Sequence, residues 1–153
     1  MIRGLLLLIL IPFVISAQII VGPRSDIYNA SNPYGMVVAD IDRDGMLDLV
    51  VPKVASNSVG IYRNIILPGS APLSANSFAP SVDLPIAGST HTVTAVAVGD
   101  LDGDGKLDIV QTNCGGRSVS IYRNISSPGA ITVNSFESRI DLFTPMGPWG
   151  VTI

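Results

Sequence analysis

Two nine-residue windows hold eight of the chain's twelve acidic residues. Residues 40–48 read DIDRDGMLD and residues 100–108 read DLDGDGKLD, both of the form D-x-D-x-D-G-x-x-D. Carboxylates at loop positions 1, 3, 5 and 9, with glycine at position 6, are what a curled loop needs to surround a hard cation with oxygen. The side-chain candidates are Asp40, Asp42, Asp44 and Asp48 in the first loop, and Asp100, Asp102, Asp104 and Asp108 in the second. Position 7, Met46 or Lys106, is expected to offer its main-chain carbonyl; these two side chains share no chemistry, as a backbone role requires. Gly45 and Gly105 permit the tight turn. Two carboxylates about 4 Å apart repel by about 4 kcal/mol at an effective dielectric near 20, and each loop gathers four. A solvent-facing turn gains nothing from that crowding, whereas a divalent cation reverses its sign. All-oxygen ligation favours Ca2+ over zinc, which prefers nitrogen and sulfur, and over magnesium, which keeps its waters. About two calcium sites are expected.

Position 12 of such a loop is Val51 or Gln111. An EF-hand needs a bidentate Glu there and helices on either side, so that module is disfavoured. The flanks are strand-like instead. Val and Ile cluster in Met36–Ala39, Leu47–Val51, Val59–Tyr62, Val93–Val98, Leu107–Gln111 and Val119–Tyr122, with weaker strand signals at Phe78–Leu84 and Phe136–Leu142. No stretch sustains a helical apolar period.

These strands repeat. DIDRDGMLDLV at 40–50 returns as DLDGDGKLDIV at 100–110, and VGIYRN at 59–64 returns as VSIYRN at 119–124, both 60 residues later. NSF at 76–78 returns at 134–136, so the second unit is two residues shorter in between. PWGVTI at 148–153 matches PYGMVV at 33–38 and opens a third unit. Four short strands per unit of this length describe one blade of a β-propeller. The expected organisation is a lead-in at 18–33, one blade at 34–92, a second at 93–147 and the start of a third at 148–153. The fold class is therefore all-β: blades of four antiparallel strands, about two complete repeats plus the start of another.

Composition agrees. The chain of 153 residues is 47% apolar and only 14% charged, which excludes a disordered polyelectrolyte. A net charge of −3 provides no basic face for nucleic acid. The single cysteine, Cys114, excludes an intrachain disulfide framework. Residues 1–17, MIRGLLLLILIPFVISA, have the charged start, apolar centre and small-residue end of a secretory signal peptide, with cleavage expected after Ala17. Pro12 and Gln18 interrupt the apolar run, so no membrane span is expected beyond that segment.

The segments VVADIDRDGMLDLVV at 37–51 and VAVGDLDGDGKLDIVQ at 96–111, each followed by SVGIYRN or SVSIYRN, resemble FG-GAP/VCBS-type repeats, the blades of integrin-alpha-like β-propellers. The resemblance implies that the eight loop aspartates bind calcium. It also implies a closed ring of about seven blades, so the chain is expected to be the N-terminal piece of a longer protein and to contact that protein's remaining blades. An open pair of blades leaves apolar faces at both ends. The function expected is a secreted or cell-surface scaffold for adhesion or recognition, with structural calcium and an extracellular protein or carbohydrate ligand. No enzymatic activity is expected: His91 has no paired nucleophile, and metal-bound carboxylates make poor acids and bases. The alternative is an accessory or catalytic portion of a larger secreted enzyme, for instance one acting on polysaccharide. Tyr62, Arg63 and Asn64 recur as Tyr122, Arg123 and Asn124 and are expected to pack and close a turn, with Tyr34 and Trp149 packing as well.

Overall fold

The computed structural model of the chain describes residues 24, 26, 27, 33–67, 69, 72–86 and 93–153. The expected leader at 1–17, most of the lead-in, and His91 lie outside the described residues. Strands β1 (Val37–Ala39), β2 (Asp48–Lys53), β3 (Ser58–Tyr62) and β4 (Val82–Pro85) form one sheet in that order. Strands β5 (Val93–Gly99), β6 (Asp108–Asn113), β7 (Ser118–Tyr122) and β8 (Ile140–Phe143) form the second. Every neighbouring pair is antiparallel. The two sheets are thus the two complete four-stranded repeats, and no α-helix occurs among the described residues.

Some boundaries differ from the sequence expectation. β2 and β6 begin at Asp48 and Asp108, one residue late, because Leu47 and Leu107 still belong to the aspartate loop. β4 and β8 begin four residues late. Phe78 and Phe136 form only isolated bridges, to Asn64 and Asn124. The cause is a 3-10 turn just upstream in each repeat, at Ala75–Ser77 and Val133–Ser135, closed by reciprocal side-chain bonds between Ser74 and Ser77 and between Thr132 and Ser135. Tyr34 and Trp149 are corrected too: Tyr34 lies before β1 and Trp149 after β8, and both are exposed.

Strand alternation places Val50, Ile61 and Leu84 on one face of the first sheet. That face meets the opposite face of the second sheet. Ile41, Val50, Val59, Ile61 and Leu84 pack with Ile109, Tyr122 and Phe136 in a single core. β3 and β6 are buried along their whole length, which is why they carry few charges.

One charge inside the first sheet is an exception. Lys53 is fully buried, with its Nζ 2.7 Å from both Ser81 Oγ and Asp83 Oδ1 and 5.1 Å from the centre of the Tyr62 ring. The second sheet meets the same demand differently. There Asp141, equivalent to Asp83, is bonded by Ser120 Oγ at 2.6 Å and by Arg139 at 2.9 Å, while Asn113 stands in the lysine's place. Gly60 replaces Ser120 in the first sheet for a steric reason: a Cβ there would lie 2.5 Å from Lys53 Cε. Lys53 and Gly60 therefore form a matched pair. Gly60→Ser is expected to destabilise the fold by about 2 kcal/mol through overpacking. In a Lys53→Asn background the same change should cost at least about 1 kcal/mol less, as measured by a double-mutant cycle in urea.

Candidate metal centre

Each aspartate loop is curled by its own carboxylates. Asp40 accepts the N–H of Asp44 at 3.1 Å on Oδ1 and that of Gly45 at 3.0 Å on Oδ2. Asp100 does the same for Asp104 at 3.1 Å and Gly105 at 2.9 Å. Asp44 Oδ1 then accepts the N–H of Met46, and Asp104 Oδ1 that of Lys106. Gly45 and Gly105 have φ of 88° and 81°, the left-handed region that glycine enters without strain. Position 4 is left-handed as well, Gly103 in one loop but Arg43 in the other.

Position 9 opens β2 or β6, so the sheet itself anchors it. Asp48 is buried and accepts the Ile41 N–H at 3.0 Å and the Asn64 N–H at 2.8 Å. Asp108 accepts those of Leu101 at 3.0 Å and Asn124 at 2.9 Å. The outcome is convergence. One carboxylate oxygen from each of Asp40, Asp42 and Asp48 lies within 4.8 Å of the other two, and Asp100, Asp102 and Asp108 repeat the arrangement. Calcium–oxygen distances of about 2.3–2.6 Å put ligands on opposite sides of an ion about 5 Å apart, so both triads have the right span for one cation. Each cluster could hold a metal ion.

The remaining predicted residues sit outside these triads. Asp44 Oδ2 pairs with Arg63 Nη2 at 2.8 Å, and Asp104 Oδ2 with Arg123 Nη2 at 3.2 Å. Met46 and Lys106 enter through the backbone N–H, and Lys106 Nζ lies 3.8 Å from Asp104 Oδ2. Sequence reasoning missed the arginines. Arg63 Nε donates to Asp42 Oδ2 at 2.6 Å, and Arg123 Nε pairs with Asp102. The signal was present in the recurring Tyr-Arg-Asn, but only the fold carries the end of β3 or β7 to the loop.

Arg123, by its hydrogen bond, holds the Asp102 carboxyl below the usual carboxylate range. Asp48 behaves in the opposite way. Burial, against the pull of its two backbone N–H partners, pushes its carboxyl up to about 6. The first loop is the more enclosed of the two: Asp42 and Asp48 are both fully buried, whereas Asp102 is exposed.

Residues 92–120, which contain the whole second loop, match the family model of the FG-GAP repeat. That segment is similar to an FG-GAP repeat. No curated protein and no solved structure matches the chain. The FG-GAP segment includes β5 and β6 and extends into β7, and the first sheet has the same strand order and loop hydrogen bonds.

Asn124, just beyond the FG-GAP match, joins the two loops. Its N–H holds Asp108, its Nδ2 donates to Leu107 O at 3.0 Å and to Ile41 O at 2.9 Å, and its Oδ1 accepts the Ser126 N–H at 2.9 Å. It is fully buried, so although Asn124-Ile125-Ser126 has the N-x-S pattern of a glycan acceptor, its amide is not free to take one. Asn124→Ala strands two carbonyls at the sheet interface and is expected to cost about 2–4 kcal/mol in chemical unfolding.

The raised Asp48 carboxyl sets a pH dependence. Its protonated form suits the fold, so its contribution is complete below the ordinary value of 3.8 and is lost as pH rises through about 6. Asp102 has the opposite sign, but its contribution is lost only below the ordinary carboxylate range. Metal-free protein is therefore expected to melt at a higher temperature near about pH 5 than near about pH 7.5, read by circular dichroism.

Proposed function

We propose that the chain is a calcium-stabilised repeat module, secreted or displayed at a cell surface, that serves as a scaffold for adhesion or recognition. The observation carrying this reading is the paired convergence of Asp40, Asp42, Asp48 and of Asp100, Asp102, Asp108. Hydrogen bonds hold these carboxylates together even though they repel, and a divalent cation converts that repulsion into attraction. Asp44 and Asp104 stand next in each loop as further oxygen donors, and the carbonyls of Met46 and Lys106 complete a set suited to calcium. The ion's role would be structural, tying the start of each loop to the first residue of β2 or β6.

An extracytoplasmic setting follows from the signal-like residues 1–17, and it supplies calcium near the millimolar range. No helix among the described residues is long and apolar enough to cross a membrane. An extracellular protein or carbohydrate is the ligand class we propose, and further blades of a longer chain would complete the ring. Catalysis is not part of this reading. The loop carboxylates are committed to the cation, and metal-bound carboxylates make poor acids and bases.

Calorimetric titration tests it. Two calcium sites are expected, with Asp40→Ala and Asp100→Ala each removing one. A site with a dissociation constant of about 0.1 mM in about 1 mM calcium adds about 1.4 kcal/mol of stability. Two such sites should raise the melting temperature by roughly 5–10 °C over the value in chelator. An unchanged melt and a flat titration would overturn the proposal.

A further inference from the structure

Each aspartate loop holds a cation supplied by the chain itself. Arg63 closes a fork on the first loop, with Nε 2.6 Å from Asp42 Oδ2 and Nη2 2.8 Å from Asp44 Oδ2. Arg123 repeats the fork on the second, with Nε on Asp102 and Nη2 3.2 Å from Asp104 Oδ2. A guanidinium is planar and permanently charged, so it bridges two carboxylates in a fixed geometry.

The two carboxylates in each fork are not equivalent. Asp42 accepts Arg63 and still offers an oxygen beside those of Asp40 and Asp48. Asp44 is the loop carboxylate outside that triad, and the far nitrogen of the arginine holds it. Asp104 stands in the same relation to Arg123. Position 5 therefore serves either the arginine or a metal held by the whole loop. Two cations that share Asp42 or Asp102 also repel each other.

The loops differ in what else the arginine can bind. Arg123 has a third partner, Glu137, whose Oε1 lies 3.0 Å from Nη1. Ala79 occupies that place in the first repeat: its N–H donates to Arg63 O as that of Glu137 donates to Arg123 O. Arg63 is also the more confined. A Cβ on Gly129, in the second repeat, would lie 3.5 Å from its Nη2, and its side chain is 28% exposed against 41% for Arg123. Each loop has four aspartates and one further cation, Arg43 or Lys106. Glu137 thus leaves the second site with one more negative charge.

Building on calcium binding at the two loops, as proposed above, we propose that Arg63 and Arg123 compete with the ion for Asp44 and Asp104. Glu137 holds Arg123 aside, so the second loop fills at lower calcium than the first. Without metal the arginine supports its loop, because it offsets the carboxylate repulsion. Its removal therefore weakens the metal-free fold and tightens calcium binding, two effects of opposite sign. If the arginine only positioned Asp42 or Asp102, its removal would weaken both.

Calorimetric titration of the full chain with calcium, alongside melts in chelator, tests this. Asp40→Ala leaves the second site and Asp100→Ala the first, so each is read separately. The second site is expected to bind about tenfold tighter than the first. Arg123→Gln should tighten the second site about tenfold further and lower the melting temperature in chelator; Arg63→Gln should do the same at the first. Glu137 is exposed, so Glu137→Gln is expected to leave the fold undisturbed. It should weaken the second site about fivefold, and by less than half as much on a logarithmic scale in an Arg123→Gln background. Ala79→Glu should tighten the first site. Tighter binding at the first loop, weaker binding in the arginine variants, or a Glu137 effect undiminished without Arg123 overturns the proposal and leaves calcium binding standing. A flat titration in the wild type and in every variant overturns both.

Discussion

Carboxylate crowding is the constraint on which the rest of this structure depends. Each loop brings together groups that repel, and it holds them by hydrogen bonds from its own backbone, by an arginine from the end of a neighbouring strand, and by the first residue of β2 or β6. The backbone bonds fix the curl. The strand fixes where the curl points. Each loop is therefore part of its sheet, and forming one helps to form the other.

The same residues that fix the loops also join the sheets. Ile41 sits between Asp40 and Asp42, yet its side chain lies in the core between the sheets and its carbonyl takes the Asn124 amide. Its N–H holds Asp48. A short path of buried hydrogen bonds thus runs from Asp48 through the Ile41 peptide to Asn124 and on to Asp108. Burial along that path raises the Asp48 carboxyl, whereas the more open Asp102 is held low by its arginine. The two loops share a sequence pattern but not an electrostatic environment, because only the first is covered by a following sheet.

Repetition also shows what a blade must keep and what it is free to change. Asp83 and Asp141 each face a cation, but Lys53 reaches across the sheet in one blade and Arg139 lies on the adjacent segment in the other. The swap requires Gly60, since the lysine passes where a side chain would stand. Charge is preserved at the carboxylate, and volume is conserved around it. The Tyr-Arg-Asn at the end of β3 and β7 is kept whole because its three residues make different bonds. Tyr122 and Asn124 bond to the preceding sheet, and Arg123 bonds to the loop.

Sequence alone determined the repeat, the all-β class and the residues of each loop, because D-x-D-x-D-G-x-x-D is a local pattern whose spacing dictates its curl. It also located most of the strands, since Val and Ile in short runs between turn formers suit little else. It misplaced the starts of β4 and β8, where Ser74 with Ser77 and Thr132 with Ser135 close a 3-10 turn through side-chain bonds that apolar patterning does not register. Only the tertiary structure decided that Arg63 and Arg123 reach the aspartates, that Asn124 is a buried tie and not a glycan site, and that Asp48 is desolvated. Those facts depend on which face meets which, across separations of up to 83 residues. A sequence pattern records the period of each strand, but the partner of each face is settled by packing.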